Sequence, residues 1–241
     1  MKNENEVIIH LSNLVFNWSP FQSKCINIES LKIYRGERIF LYGPSGSGKS
    51  TLLGLLTGVL TPSSGIIRVL DKNLTELSNI GRDKFRAHHI GFIFQQFNLI
   101  PYLSVIDNVL LPCHFSLLRK NKIIQKGIHP KEEAKQLLIQ LDIEESLHHR
   151  VASNLSVGQQ QRVAAARALI GQPEIIIADE PTSALDENRQ NAFLELLLKQ
   201  CDSFNATLIF VSHDHRLKSL FPKHISLPDL NKVTEAKELV S

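Results

Sequence analysis

The apolar positions of this chain gather into short runs rich in Ile, Val and Phe, each bounded by turn-forming or charged residues. Six runs stand out: Val7–Leu11, Arg38–Tyr42, Ile66–Leu70, His89–Phe94, Glu174–Ala178 and Thr207–Val211. Runs this short, alternating with stretches of helical periodicity, predict buried strands of an α/β fold. Helices are predicted over Lys49–Leu60, Glu132–Leu141, Val157–Ile170 and Glu187–Gln200. The second of these shows Ala134, Leu137, Leu138 and Leu141 at helical spacing. Residues 97–154 carry few strand signals and read as a helical lobe inserted between β-rich halves. No internal repeat or low-complexity segment breaks the pattern.

Composition narrows the class only a little. The 241 residues are 43% hydrophobic, ordinary for a globular protein, and residues 1–241 are expected to form a single domain. No apolar run approaches the ~20 residues that cross a bilayer, and the polar N-terminus has no signal-peptide pattern. Cys25, Cys113 and Cys201 lie far apart, suggesting neither a disulfide framework nor a zinc site. A reduced, cytoplasmic setting is expected. The net charge of +3 is too small to point to nucleic acid as a partner.

The candidate chemistry lies at the ends of the runs. Gly43-Pro44-Ser45-Gly46-Ser47-Gly48-Lys49-Ser50 joins a predicted strand to a predicted helix. Such a loop points its backbone N–H groups, and the positive end of the helix, at an anion. Its glycines keep side chains out of the way and allow positive φ. Lys49 would reach the β and γ phosphates of a nucleotide, and the Ser50 hydroxyl would ligate Mg²⁺. The strand Glu174–Ala178 ends in two acids, Asp179 and Glu180. Asp179 suits Mg²⁺ through water, and Glu180 suits a general base for the attacking water; a solvated acidic turn is the plainer alternative. Leu155-Ser156-Val157-Gly158-Gln159 opens a further helix with Ser156 as a natural N-cap. It is either an ordinary capped helix or a second anion site. A second anion site makes sense if two copies of the chain close on a nucleotide together.

Together these motifs resemble the ATP-binding subunits of ABC transporters, in family order and over residues 7–228. The resemblance implies a P-loop NTPase of the ABC ATPase type, with a RecA-like core, an antiparallel β subdomain and the inserted helical lobe. It casts Gly43–Thr51 as Walker A, Ile175–Glu180 as Walker B, Ser156–Gln159 as the signature and Ser183-Ala184-Leu185-Asp186 as the D-loop. It also casts His213 as the switch histidine acting on the γ-phosphate, and Gln95 as the Q-loop glutamine contacting Mg²⁺, with the adjacent Gln96 left open. Trp18 is similar to the aromatic that stacks on adenine; a core or surface aromatic is the alternative. Val157 departs from the family, which usually has glycine there. A β-branched residue would be strained at positive φ, so a helical φ is expected.

The implied function is ATP hydrolysis, with ATP and Mg²⁺, by two copies closing on two nucleotides and driving a separate transmembrane permease. The chain would then lie on the inner face of the cell membrane, held there by the permease. Gly91-Phe92-Ile93-Phe94-Gln95-Gln96-Phe97-Asn98-Leu99-Ile100-Pro101 resembles the lipoprotein-release, macrolide-export and cell-division (FtsE-like) branch. That branch implies export, extraction or mechanical signalling. Two other classes stay open: a soluble ABC ATPase acting on ribosomes or DNA, and a regulatory module that binds ATP without turnover. The basic stretch Arg119, Lys120, Lys122 and Lys126 reads as a solvated face of the lobe, with anionic lipid as the alternative partner.

Overall fold

In this computed structural model, which describes residues 6–19 and 24–233, the polypeptide forms two sheets. β1 (Val7–Phe16), β2 (Ile26–Tyr34), β4 (Ser64–Val69) and β5 (Lys72–Asn73) make an antiparallel sheet in the order β2-β1-β4-β5. β3 (Arg38–Tyr42), β6 (Ile90–Ile93), β7 (Ile175–Asp179), β8 (Thr207–Val211) and β9 (Lys223–Ser226) make a parallel sheet in the order β6-β7-β8-β3-β9.

The apolar runs follow from how the parallel strands are covered. Phe40, Ile176, Ala178, Leu208 and Phe210 enter one core, shared with the helical lobe. Their neighbours Ile39, Leu41, Ile175, Ile177, Ile209 and Val211 enter the other, shared with the antiparallel sheet and α1 (Lys49–Leu56). Successive side chains of a strand point to opposite faces, so a strand covered on both faces is apolar throughout. β2 was not anticipated, because Glu29, Ser30 and Lys32 interrupt its alternation at the exposed positions.

The lobe is built from α3 (Val105–Phe115), α4 (Leu117–Gln125) and α5 (Pro130–Gln140), with α6 (Val157–Leu169) packed on α3 and α5. Ser104 and Ser116 cap α3 and α4 by accepting the backbone N–H groups of Asp107 and Arg119. α2 (Asn79–His89) gave no signal in the sequence, because Phe85 is its only buried residue. α1 stops four residues short of the expected end: Gly58 takes φ +68°, which closes the helix. α7 (Glu187–Ser203) runs three residues further than expected.

The basic stretch is a solvated face only in part. Arg119 is 2% exposed and donates to the main-chain oxygens of His88, Ile90, Ala168 and Ile170. Lys122 binds Glu174 at 2.7 Å and Lys126 binds Glu133 at 2.9 Å. Arg119 fastens the lobe to the ends of α2 and α6 and Lys122 fastens it to the turn before β7, while Lys126 ties α4 to α5 within the lobe. Lys120 and Lys126 are the two of the four that are exposed. Burial holds the Arg119 guanidinium below its ordinary range, at about 10. It is charged at neutral pH all the same, with carbonyl dipoles as its partners.

The strand order sets out the site. β8 lies between β3 and β7, with Val211 level with both Leu41 and Asp179. The segments leaving β3, β7, β8 and β6 therefore emerge side by side at the carboxyl edge, where open α/β sheets bind ligands.

Candidate nucleotide site

The glycine loop after β3 has the backbone its residues predict. Gly46 and Gly48 take φ +79° and +97°, conformations a side chain would strain. Gly48 is the N-cap of α1, with no side-chain cap hydrogen bond, which leaves the first-turn N–H groups directed into the loop. The Ser47 hydroxyl oxygen is buried and has no hydrogen-bond partner among the described residues. Lys49 Nζ donates to the carbonyls of Gly43 and Pro44, at 2.8 and 2.9 Å. The loop thus holds its own cation across its mouth.

Asp179 and Glu180 face that loop from the end of β7. Burial first, and the neighbouring Glu180 charge second, push the Asp179 carboxyl above the usual range, with Lys49 opposing them. Glu180 takes φ +45°, a left-handed conformation uncommon outside glycine. Its N–H donates to Val211 O at 2.9 Å, and its Oε2 lies 3.1 Å from His213 Nδ1. An open cavity of about 480 Å³ brings together Trp18, Ser45, Gly46, Gly48, Lys49, Ser50, Thr51, Gln95, Asp179 and Glu180. Gln95, not Gln96, is the glutamine on its wall. Trp18 is 62% exposed and packs against Phe16 in a T-shaped pair with ring centroids 5.1 Å apart. A larger groove, about 960 Å³, runs along α7. It contains no glycine loop, so its chemistry does not compete for a phosphate.

Cys25, which belongs to none of the motifs, also lines the phosphate cavity. The hydroxyl, amide and carboxylate oxygens of Ser50, Gln95 and Asp179 form a hard donor set. Among the described residues no group of three or more His, Cys, Asp or Glu forms a complete metal cage. A hard oxygen set with a single carboxylate, as here, suits a cation such as Mg²⁺, which takes one or two carboxylates and completes its shell with phosphate and water.

Ser156, Gly158 and Gln159 line no part of this cavity. They form the exposed start of α6, where the Ser156 hydroxyl accepts the Gln159 N–H and Gln159 Oε1 accepts the Ser156 N–H. Val157 is a helical residue, absent from the positive-φ positions, so its side chain is unstrained. The segment Ser183–Asp186 lies beside it: a Cβ added to Gly158 would touch Leu185 Cδ2 at 4.0 Å. Ser183 and Ala184 are exposed, and Asp186 caps α7 by accepting the Arg189 N–H.

This arrangement of loop, acids and helix is that of a nucleotide-hydrolysing cassette. The model of the family described as ABC transporter matches residues 26–183. The chain is 39% identical over 214 residues to the lipoprotein-releasing system ATP-binding protein LolD of Buchnera aphidicola, covering 88% of this chain and 90% of that one. It is 37% identical over 227 residues to the macrolide export ATP-binding/permease protein MacB of Pasteurella multocida. That match covers 93% of this chain and only 34% of MacB. A solved dimeric structure of the ATP-binding cassette MJ0796, in a post-hydrolysis state bound to ADP and Pi, superposes with a TM-score of 0.79 at 33% identity. It covers 91% of this chain and 94% of that one; the curated MJ0796 protein is from Methanocaldococcus jannaschii.

The chain belongs to the ABC transporter family. It is an ATP-hydrolysing subunit of a transporter.

Proposed function

We propose that two copies of this chain enclose two ATP molecules, each nucleotide held between the glycine loop of one copy and Ser156 and Gly158 of the other. The observation that carries this is the separation of the two anion-binding helix ends within a single chain, both of them exposed. The MJ0796 relative, solved as a dimer with ADP and Pi, supports the same reading.

Each residue's role follows from its position. Trp18 stacks on the adenine ring. Lys49 leaves the Gly43 and Pro44 carbonyls for the β and γ phosphates, while Gly46, Gly48 and Thr51 present backbone N–H groups. Ser50, Gln95 and Asp179 hold Mg²⁺, which when bound neutralises phosphate charge. Glu180 orients the attacking water and accepts its proton. His213 steadies the Glu180 carboxylate and, once the γ-phosphate is present, donates to it. Ser183–Asp186 meet the other copy. The helical Val157 keeps its N–H in the first turn of α6, in keeping with turnover rather than a purely regulatory module.

The membrane partner is a separate permease. Phe92, Leu111, Pro112 and the 74%-exposed Phe115 border a groove beside Arg86 and Arg167. Its floor is β6, whose chain continues into Gln95. A permease segment seated there would move Gln95 and the lobe together. The resemblance to LolD and MacB favours the export and lipoprotein-extraction branch, with the chain peripheral on the inner membrane face and no nucleic acid involved. Among the described residues no helix is long and apolar enough to cross a membrane.

The test is complementation. Lys49→Ala and Ser156→Arg chains should each be inactive, and mixing them should restore hydrolysis. One site of the heterodimer then combines an intact loop with an intact signature. Verified heterodimers without activity, with permease present, would count against the shared site.

A further inference from the structure

The peptide around Glu180 is held by side chains that none of the motifs contains. Glu180 sits at φ +45°, and a strained residue keeps such a conformation only where its surroundings over-determine it. The next two carbonyls each accept a bond from a buried glutamine. Gln161 Nε2 donates to Pro181 O at 2.8 Å, and Gln190 Nε2 donates to Thr182 O at 3.1 Å. Gln161 is 1% exposed and Gln190 7%. Each amide orientation is fixed by its partner, since only the NH₂ end can donate to a carbonyl.

Both glutamines hold the turn at a cost to themselves. Among the described residues neither Gln161 Oε1 nor Gln190 Oε1, both buried, finds a hydrogen-bond partner. An unpaired buried acceptor is unfavourable, and an apolar side chain of the same length would avoid it. Packing alone therefore does not account for either residue; the single bond to the turn does. The two come from different elements: Gln161 from α6, five residues after Ser156, and Gln190 from the first turn of α7. Together they fix the turn from both sides.

We infer that Gln161 and Gln190 are positioning residues, which hold the left-handed turn that aims the Glu180 carboxylate at the attacking water. This rests on the reading of Glu180 as the general base. Methionine matches glutamine in length, and it removes the donor together with the unpaired oxygen. Gln161→Met and Gln190→Met should each lower kcat about tenfold, with unchanged affinity for an ATP analogue and a thermal midpoint equal to or above that of the parent. A purely structural role would instead lower stability along with activity.

The decisive measurement is a cycle with Glu180→Gln under single-turnover conditions. If Gln161 acts only through the Glu180 carboxylate, adding Gln161→Met to Glu180→Gln should slow hydrolysis by less than about twofold more. A further tenfold loss would show that Gln161 acts elsewhere and would overturn the inference. So would full kcat in both methionine variants. Near-parental turnover in Glu180→Gln alone would instead remove the general-base reading, a separate result read from a separate variant.

Discussion

Lys49 begins in a bound position. Its ammonium rests on the Gly43 and Pro44 carbonyls, so a nucleotide must offer it more than two neutral acceptors do. Phosphate oxygens do so, because they add a full opposite charge where the carbonyls offer the ammonium only dipoles. Lys49→Ala should therefore weaken binding of a fluorescent ATP analogue by about tenfold or more, given ~1.5–3 kcal/mol per charge-assisted bond. Unchanged affinity in that titration would place the phosphates elsewhere. Val157 gives the opposite expectation. Its φ is helical and the family glycine would need no special conformation here. Val157→Gly should change the ATPase rate by less than about tenfold and the stability by only a few tenths of a kcal/mol. A much larger gain in rate would show that the natural residue restrains turnover.

Among the elements, the junction of lobe and core has a pH signature. Glu174, on the turn before β7, takes bonds from His89 at the end of α2 (2.9 Å) and from Lys122 of α4 (2.7 Å). Burial alone would raise its pKa; the bonds from His89 and Lys122 outweigh it and hold the carboxyl at about 2. A carboxyl lowered by folding stabilises the fold above its unfolded pKa, near 4.3, and loses that contribution as pH falls toward the folded value. Glu174→Gln should cost on the order of 2–3 kcal/mol at pH 7, measured by urea unfolding. The difference from the parent should shrink steadily from about pH 4.5 and vanish near pH 2. A penalty independent of pH would mean that shape, not charge, joins these elements.

The same junction shows what the sequence could and could not reveal. β3, β7 and β8 were legible because double-sided burial writes an uninterrupted apolar run, and β3 and β8 begin and end as expected. The glycine loop and the paired acids were legible because phosphate chemistry needs those residue types at fixed spacing. α2 was hidden, since one buried Phe85 makes no period. Arg119 was misread because a buried arginine and a solvated one look alike until the carbonyls around it are placed. Gln161 and Gln190 were overlooked for a similar reason. Their partners are main-chain oxygens twenty and eight residues away in sequence, and main-chain oxygens leave no mark on residue type.

For the whole molecule, the expectation concerns distance between copies. Within one chain, Ser50 lines the phosphate cavity and Ser156 does not. Ser50→Cys on one copy and Ser156→Cys on the other should cross-link when ATP is bound, and fail to do so without it. Both positions are exposed, so access does not limit the reaction. A verified ATP-bound dimer that gives no cross-link would contradict the shared site, whatever its rate of hydrolysis.

Arg119 also bears on how this chain can vary over evolutionary time. All its acceptors are peptide carbonyls, a group every amino acid carries. Positions 88, 90, 168 and 170 can therefore change identity without removing an acceptor, and they should show little covariation with position 119. Gly171 is different. It takes φ +68°, and a Cβ there would lie 2.5 Å from the Arg119 Cβ. The Cα and main-chain oxygen of position 119 lie 3.0 Å from the same point, and these atoms, with the Cβ, are kept by almost any residue, so Gly171 should persist whatever side chain stands at 119.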